Sequence, residues 1–185
     1  TIAPQGYRFG ISFRSDPHEW NITRNYEEQL FNVIDLVVDG LRVHGLSGPT
    51  VFYQVKYDAE MTHKLAVRYL YCTGHDEENE MIGVSNYEQF YTNMDVIVSN
   101  RLHVLLIGAS QGAIPIAVID RVSHEKITSI LEEMGLSCLI FDIRNPDTLK
   151  EKLSSIMAES DKIRLQIARV FEQQNMIIRN IIRNV

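Results

Sequence analysis

Hydrophobic residues in this chain follow two spacings that alternate along it, and the alternation predicts strands and helices in turn. Apolar side chains recur about every three to four residues from 24 to 43, the spacing of an amphipathic helix, and similar stretches follow. Strands that alternate with helices form parallel sheets, so the sequence predicts an α/β fold: a doubly wound parallel sheet of about six strands with helices on both faces. Short β-branched and aromatic runs predict the strands near residues 8, 51, 82, 96, 115 and 139.

The segment from 96 to 120 is a compact strand, helix and strand unit. Its helix is preceded by residues that commonly cap helices and is followed by a glycine, and its second strand carries a proline near its start. The predicted parts are a strand at Val96–Val98, N-cap residues Ser99 and Asn100, a helix from about Arg101 to Gly112, and a strand at Ile114–Ile119.

Arg101 and His103 fall in the predicted first turn of this helix, just beyond the carboxyl end of a strand. The N–H groups of a first turn are unpaired, and the helix dipole is positive there. A guanidinium and an imidazole at that point favour a phosphate or carboxylate ligand. A surface arginine and a surface histidine would give the same pattern, and spacing alone leaves both interpretations open.

The first predicted strand, Tyr7–Phe13, ends beside another basic residue. Ser12 is small enough to allow close approach of a ligand, and Arg14 stands at the carboxyl end of the strand. Ligands of open α/β sheets bind beyond the carboxyl ends of strands, so Arg14 is a candidate anion contact. The alternative is a surface arginine paired with Asp16 or Glu19.

Composition narrows the class of protein. The 185 residues are 45% hydrophobic and 23% charged, as in an ordinary globular domain, and the net charge of −6 argues against general nucleic-acid binding. Two cysteines without a C-x-x-C pair, no apolar run near the roughly 20 residues of a membrane span, and no signal pattern lead us to expect a cytoplasmic protein. The chain begins at Thr1, and we expect a fragment that lacks an amino-terminal domain.

Three motifs together resemble the polysaccharide pyruvyl transferase family. The run Ser99–His103 (SNRLH), followed by a small-residue helix, a G-x-x-P segment with Gly112 and Pro115, and an apolar strand, is similar to the family signature. The upstream run Gly10–Arg14 (GISFR) matches a G-x-S-x-R strand end of the family. Lys126 is similar to a lysine that members carry after the strand, although the interval here is longer. The resemblance covers most of this chain and the carboxyl-terminal half of a family member.

The resemblance implies the carboxyl-terminal Rossmann-like domain of a GT-B-type transferase. It implies transfer of a pyruvyl group from phosphoenolpyruvate to a sugar of a capsular or exopolysaccharide precursor, with no metal or cofactor. Arg101 would hold the carboxylate or phosphate of the donor, and His103 would be the general acid. The donor-binding residues would be Arg14, Ser12, Asn100 and Lys126.

Two other classes stay open. A glycosyltransferase or sugar-phosphate transferase of the same layout would bind a nucleotide-sugar donor here, and a non-catalytic scaffold would leave the basic residues unused. We expect residues 1–160 to form the donor-binding domain. The helix 161–185 would pack on this domain, on a missing amino-terminal domain, or on a second subunit in a homodimer. His124, although close to Lys126, is expected to be a surface residue at a helix start, and the acidic segment 75–80 a solvated loop.

Overall fold

The computed structural model describes residues 7–15, 25–70 and 87–183. The strands are β1 (Arg8–Ser12), β2 (Ser47–Val51), β3 (Val96–Ser99), β4 (Ile114–Ile119) and β5 (Ile140–Asp142). The helices are α1 (Tyr26–Val43), α2 (Ala59–Leu70), α3 (Tyr87–Thr92), α4 (Leu102–Ser110), α5 (Glu125–Glu133), α6 (Leu149–Ala158) and α7 (Ser160–Arg183). Short 3-10 turns lie at Lys56–Asp58, Ser137–Leu139 and Pro146–Thr148.

The described strands form one parallel sheet in the order β2-β1-β3-β4-β5. The predicted α/β fold with a parallel sheet is therefore confirmed, and it is consistent with a Rossmann-like fold. Five strands lie in the described residues, whereas the strand predicted near residue 82 and the acidic segment 75–80 lie outside them. From β1 the chain adds β2 toward one edge of the sheet, and from β3 it adds β4 and then β5 toward the other edge. The order thus reverses between β1 and β3, which are adjacent in register through Gly10 with Ile97 and Ser12 with Ser99.

Helices cover both faces of the sheet. Every residue of β3 and β4 is buried, which requires cover on both sides. Right-handed crossovers that leave the sheet centre in opposite directions place α1 and α4 on opposite faces. On one face α1 meets α6 at Gly40, where an added Cβ would lie 2.3 Å from the Leu153 side chain. On the other, α4 meets β3 at Gly108, where an added Cβ would lie 2.8 Å from Cγ1 of Ile97.

The strand predicted near residue 51 is β2, Ser47–Val51, which begins four residues earlier and includes Pro49. Among the described strands β2 lies at the edge of the sheet, where a residue without an N–H is tolerated. Val67 is exposed on α2. Asp58 lies in the 3-10 turn directly before α2, and its carboxylate binds Arg101.

The amino-terminal part of α7 packs on this domain. Ile163 and Ile167 are buried, and Arg164 donates hydrogen bonds to the carbonyl of Gly112 at 2.7 Å and to Asp95 at 3.1 Å. The predicted apolar stripe of the last turns lies outside the described side chains. None of the described helices, the 24-residue α7 included, is apolar over a stretch long enough to cross a bilayer.

The contact between α4 and β3 predicts a position that does not tolerate bulk. We expect Gly108→Val to lower the free energy of unfolding by about 1–3 kcal/mol, because the new side chain overlaps Ile97. Urea denaturation would measure the change. The control is Ser110→Val in the same helix, where the side chain is exposed and the expected change is within about 0.5 kcal/mol. Equal losses in the two variants would contradict the close contact.

Candidate functional site

A cleft of about 350 Å³ opens at the carboxyl edge of the sheet, where the strand order reverses between β1 and β3. Ligands of open α/β sheets bind at such a reversal. The structure brings together five of the six residues predicted to form the site, while Ser12 does not line the cleft. The cleft is lined by Arg14, Asn100, Arg101, Leu102, His103, Ser123, His124, Lys126 and Ile127.

The lining of the cleft is basic although the chain as a whole is acidic. Two arginines, one lysine and two histidines line it, and none of its described lining residues is an aspartate or glutamate. The whole chain carries a net charge of −6. A local cationic concavity on an acidic protein attracts small anions and does not create a general basic face.

Asn100 fixes the two strand ends relative to each other. Its side-chain carbonyl accepts the N–H of Arg14 at 2.9 Å, and its amide nitrogen donates to the carbonyl of Arg14 at 3.0 Å. Asn100 is buried, so these two bonds take the place of the ladder that ends one residue earlier. The geometry therefore indicates that Asn100 positions Arg14, and both of its side-chain hydrogen bonds are used for this.

Ser99 has a different role from the predicted N-cap. The N-cap of α4 is Arg101, without a side-chain capping bond, and the helix begins at Leu102. The Ser99 hydroxyl instead accepts the N–H of Arg101 at 2.9 Å and donates to the carbonyl of Ser12. The cap prediction for Ser99 and Asn100 was therefore wrong, because both side chains tie the β3–α4 turn to β1.

Arg101 is already paired. Its guanidinium donates to the carboxylate of Asp58, which is 1% exposed, whereas the Arg101 side chain is 23% exposed. The Nε of Arg101 and the second oxygen of Asp58 are both buried and have no hydrogen-bond partner among the described residues. A buried carboxylate needs its cation, so the charge of Arg101 is largely committed to Asp58. Arg101 therefore lines the cleft, but its charge is balanced by Asp58.

The remaining basic groups are accessible from the cleft. His103 and Lys126 are exposed, one in the first turn of α4 and the other in the first turn of α5. Arg14 is half-buried, and its backbone is held by Asn100. These three side chains reach the cleft from three different elements, and each can form a charge-assisted hydrogen bond to a carboxylate or phosphate.

His124 is not the surface residue that the sequence predicted. It is 3% exposed, and its Nδ1 lies 3.0 Å from the carbonyl oxygen of Asp120, which can only accept a hydrogen bond. Nδ1 is therefore the hydrogen-bond donor, and this bond orients the ring, which is one of the residues that line the cleft. The sequence signal was the spacing: Asp120 and His124, four residues apart, follow directly after a fully buried strand.

Asp120 organises the loop that brings Ser123, His124 and Lys126 to the cleft. Its carboxylate accepts the N–H of Val122 at 3.1 Å, the hydroxyl of Ser123 at 3.0 Å, and the guanidinium of Arg144. Burial on its own would raise the pKa of Asp120. The hydrogen bonds from Arg144 and Ser123 outweigh burial and hold the pKa below its usual value.

Ser12 lies below the cleft. The residue is fully buried, and its hydroxyl has no hydrogen-bond partner among the described residues. Its carbonyl accepts the hydroxyl of Ser99. Ser12 is not among the residues that line the cleft, so the geometry gives it no direct contact with a ligand there.

Comparisons with protein-family models, curated proteins and solved structures find no match for this chain. Within the described parts of the chain, no three histidine, cysteine, aspartate or glutamate side chains cluster as metal ligands would.

Arg101 and Asp58 should depend on each other. We expect Arg101→Ala to lower the free energy of unfolding by about 3–5 kcal/mol, because it leaves the Asp58 carboxylate buried without its cation. Combining it with Asp58→Ala should cost less than the sum of the two single changes. The control is Arg121→Ala, which breaks an exposed pair with Glu132 and should cost about 0.2–1 kcal/mol. Additive losses in urea denaturation would contradict the coupling.

The lowered pKa of Asp120 predicts a pH-dependent effect of Arg144. A carboxylate whose pKa is lowered by folding stabilises the fold above its unfolded pKa of about 3.9, and this stability is lost as the pH falls through the folded pKa. Arg144→Ala raises the pKa of Asp120, so it should destabilise the chain at pH 7 and progressively less below about pH 4.

Urea denaturation at several pH values between about 3 and 7 would measure this trend. Arg169→Ala, which removes an exposed arginine from α7, should give a difference that does not change with pH. A difference for Arg144→Ala that is constant or grows in acid would contradict the role assigned to Asp120.

Proposed function

We propose that this chain is the donor-binding domain of a polysaccharide pyruvyl transferase-like enzyme. It would move a pyruvyl group from phosphoenolpyruvate to a sugar of a capsular or exopolysaccharide precursor. The observation that supports this best is the convergence of Arg14, His103 and Lys126 on one cleft without acidic lining residues, at the reversal of strand order. The same residues carry the resemblance to that family.

Phosphoenolpyruvate has a carboxylate at one end and a phosphate on the neighbouring carbon. The planar guanidinium of Arg14 suits the carboxylate, which it can bind through two parallel hydrogen bonds. The ammonium of Lys126, at the start of α5 on the other side of the cleft, suits the phosphate as a point charge. Arg101 contributes the wall between them, with its own charge balanced by Asp58.

His103 is the proposed general acid. Its protonated ring donates a proton to the methylene carbon of the donor while an acceptor hydroxyl oxygen bonds to the adjacent carbon, and the proton of that hydroxyl returns to the ring and restores its protonated form. The bond from this carbon to the phosphate oxygen then breaks. A second hydroxyl of the sugar closes the ketal, and its proton leaves on inorganic phosphate. Lys126 stabilises the charge that develops on the departing phosphate.

A GT-B-like layout is part of this proposal. The cleft lies open at the edge of a single sheet, and a second Rossmann-like domain facing that edge would close it and supply the base for the acceptor. The carboxyl-terminal helix would then connect to that domain or to a second subunit.

Donor binding by the chain tests the proposal. We expect phosphoenolpyruvate to bind in calorimetric titration, and Arg14→Ala and Lys126→Ala each to weaken binding about 10- to 150-fold, the range for hydrogen bonds to charged groups. The control is Lys150→Ala, an exposed lysine of α6 that does not line the cleft, with unchanged affinity. Arg101→Ala is not used to test donor binding, because loss of the ion pair with Asp58 would also lower the stability of the fold.

The other arms of the titration separate the competing classes. Tighter binding of a uridine diphosphate sugar than of phosphoenolpyruvate would contradict the pyruvyl donor and favour glycosyl transfer. Binding of neither ligand would contradict both enzyme classes and favour a scaffold.

A further inference from the structure

The guanidinium of Arg101 lies between the cleft and a buried carboxylate. Its side chain lines the cleft and is 23% exposed, whereas Asp58, which accepts its hydrogen bond, is 1% exposed and is not among the described lining residues. Asp58 belongs to the 3-10 turn before α2, so it reaches Arg101 from a different segment of the chain. Any effect of this carboxylate on a ligand in the cleft must therefore pass through Arg101 or through its own charge.

Arg101 is held at both ends. Its backbone N–H donates to the hydroxyl of the buried Ser99 at 2.9 Å, and its guanidinium donates to Asp58. The first bond fixes the point from which the side chain starts, and the ion pair fixes the position at which it ends. A guanidinium held in this way does not have to be ordered when a ligand enters the cleft.

Asp58 also reduces the charge that the cleft presents to a ligand. Arg14, Arg101 and Lys126 bring three formal positive charges to the lining before the histidines are counted, and Asp58 lowers this total to two. The energy of attraction between two charges depends on both of them and on their distance. An anion in the cleft is therefore attracted much less by the Arg101–Asp58 pair than it would be by the guanidinium alone.

We propose that Asp58 is a positioning residue that holds Arg101 at the cleft and neutralises its charge, and that it thereby limits the affinity of the cleft for multiply charged anions. The inference rests on the proposed function and adds a determinant of ligand affinity outside the cleft lining. Each transfer leaves inorganic phosphate in the cleft, and product release limits the rate of many enzymes. A cleft with one more uncompensated positive charge would hold this phosphate longer.

The substitution Asp58→Asn separates the charge of this residue from its geometry. The amide oxygen can accept the same hydrogen bond from Arg101. The amide nitrogen takes the place of Oδ2, which has no hydrogen-bond partner among the described residues. The substitution therefore removes one negative charge without breaking a described hydrogen bond of the carboxylate.

Calorimetric titration of the full chain with inorganic phosphate tests the proposal. We expect Asp58→Asn to bind phosphate on the order of 10-fold more tightly than the parent, because the charge of Arg101 is no longer balanced. The gain for acetate, which carries a single charge, should be smaller. Partial unfolding would not raise the affinity, so a gain distinguishes an effect of charge from damage to the fold. Unchanged or weaker phosphate binding by Asp58→Asn overturns the proposal.

The matched control is Asp35→Asn. Asp35 also pairs with an arginine, Arg68, but this pair joins α1 to α2, and neither residue is among those described as lining the cleft. The control changes the net charge by the same amount and should leave the phosphate affinity unchanged. An equal gain in both variants would assign the effect to net charge and contradict the role of Asp58.

A variant that combines Arg101→Gln with Asp58→Asn removes the whole ion pair. Because the pair is close to neutral toward an anion, we expect phosphate affinity to fall by no more than about 5-fold, the range for a neutral hydrogen bond. A loss as large as that in Arg14→Ala would mean that Arg101 acts on the anion with its full charge, and it would overturn the proposal.

Unfolding curves at increasing phosphate concentration measure the same affinities if Asp58→Asn is less stable than the parent. A ligand that binds the folded state raises the free energy of unfolding according to its affinity. Phosphate should therefore stabilise Asp58→Asn more than it stabilises the parent. Equal stabilisation of the two chains would count against the role of Asp58.

The outcomes separate the role of Asp58 from the proposed function. Tighter phosphate binding by Asp58→Asn in a chain that does not bind phosphoenolpyruvate supports this role and overturns the pyruvyl donor. Binding of phosphoenolpyruvate by the parent, without a gain in phosphate affinity in Asp58→Asn, supports the donor and overturns the role of Asp58. If neither the parent nor Asp58→Asn binds phosphate, the role of Asp58 is overturned as well.

Discussion

The hydrogen-bond pair between Asn100 and the backbone of Arg14 is the interaction on which the cleft depends. Parallel strands β1 and β3 end side by side at Ser12 and Ser99, their last paired residues. Beyond these residues no strand pairing joins the two described segments. The buried amide of Asn100 supplies both missing bonds. It thereby sets the position from which Arg14 approaches one side and α4 begins on the other.

Charge compensation commits one basic residue of the cleft, Arg101, to a buried carboxylate. The buried Asp58 takes up the charge of Arg101, so this arginine joins the β2–α2 connection to the β3–α4 turn. The carboxylate of Asp120 takes up Arg144 in the same way and orders the loop after β4. Both carboxylates are withdrawn from the cleft by these pairs, which leaves its described lining without a negative charge.

Periodicity predicted most of the fold because the regular elements are local. The unit around 96–120 and the helix before Val43 are defined by spacing and by glycines such as Gly112, whose φ of 92° ends α4. Arg14 and His103 both follow the carboxyl ends of predicted strands, and the structure brings both to one cleft. What sequence could not predict is long-range: the Asp58–Arg101 pair spans 43 residues, and the burial of His124 depends on the elements packed around it.

The same long-range bonds hold the segments around the cleft, which are strand ends, loops and the first turns of α4 and α5, in fixed positions. Loops that bind ligands lose affinity if they must be ordered at the same time. Here Asn100, Asp58 and Asp120 each join a strand end to a different loop, and all three are buried. The conformational entropy of these loops is therefore lost when the chain folds, and not when a ligand binds. A small anion in the cleft would therefore meet a surface already in place, and its binding would not have to order the surrounding segments.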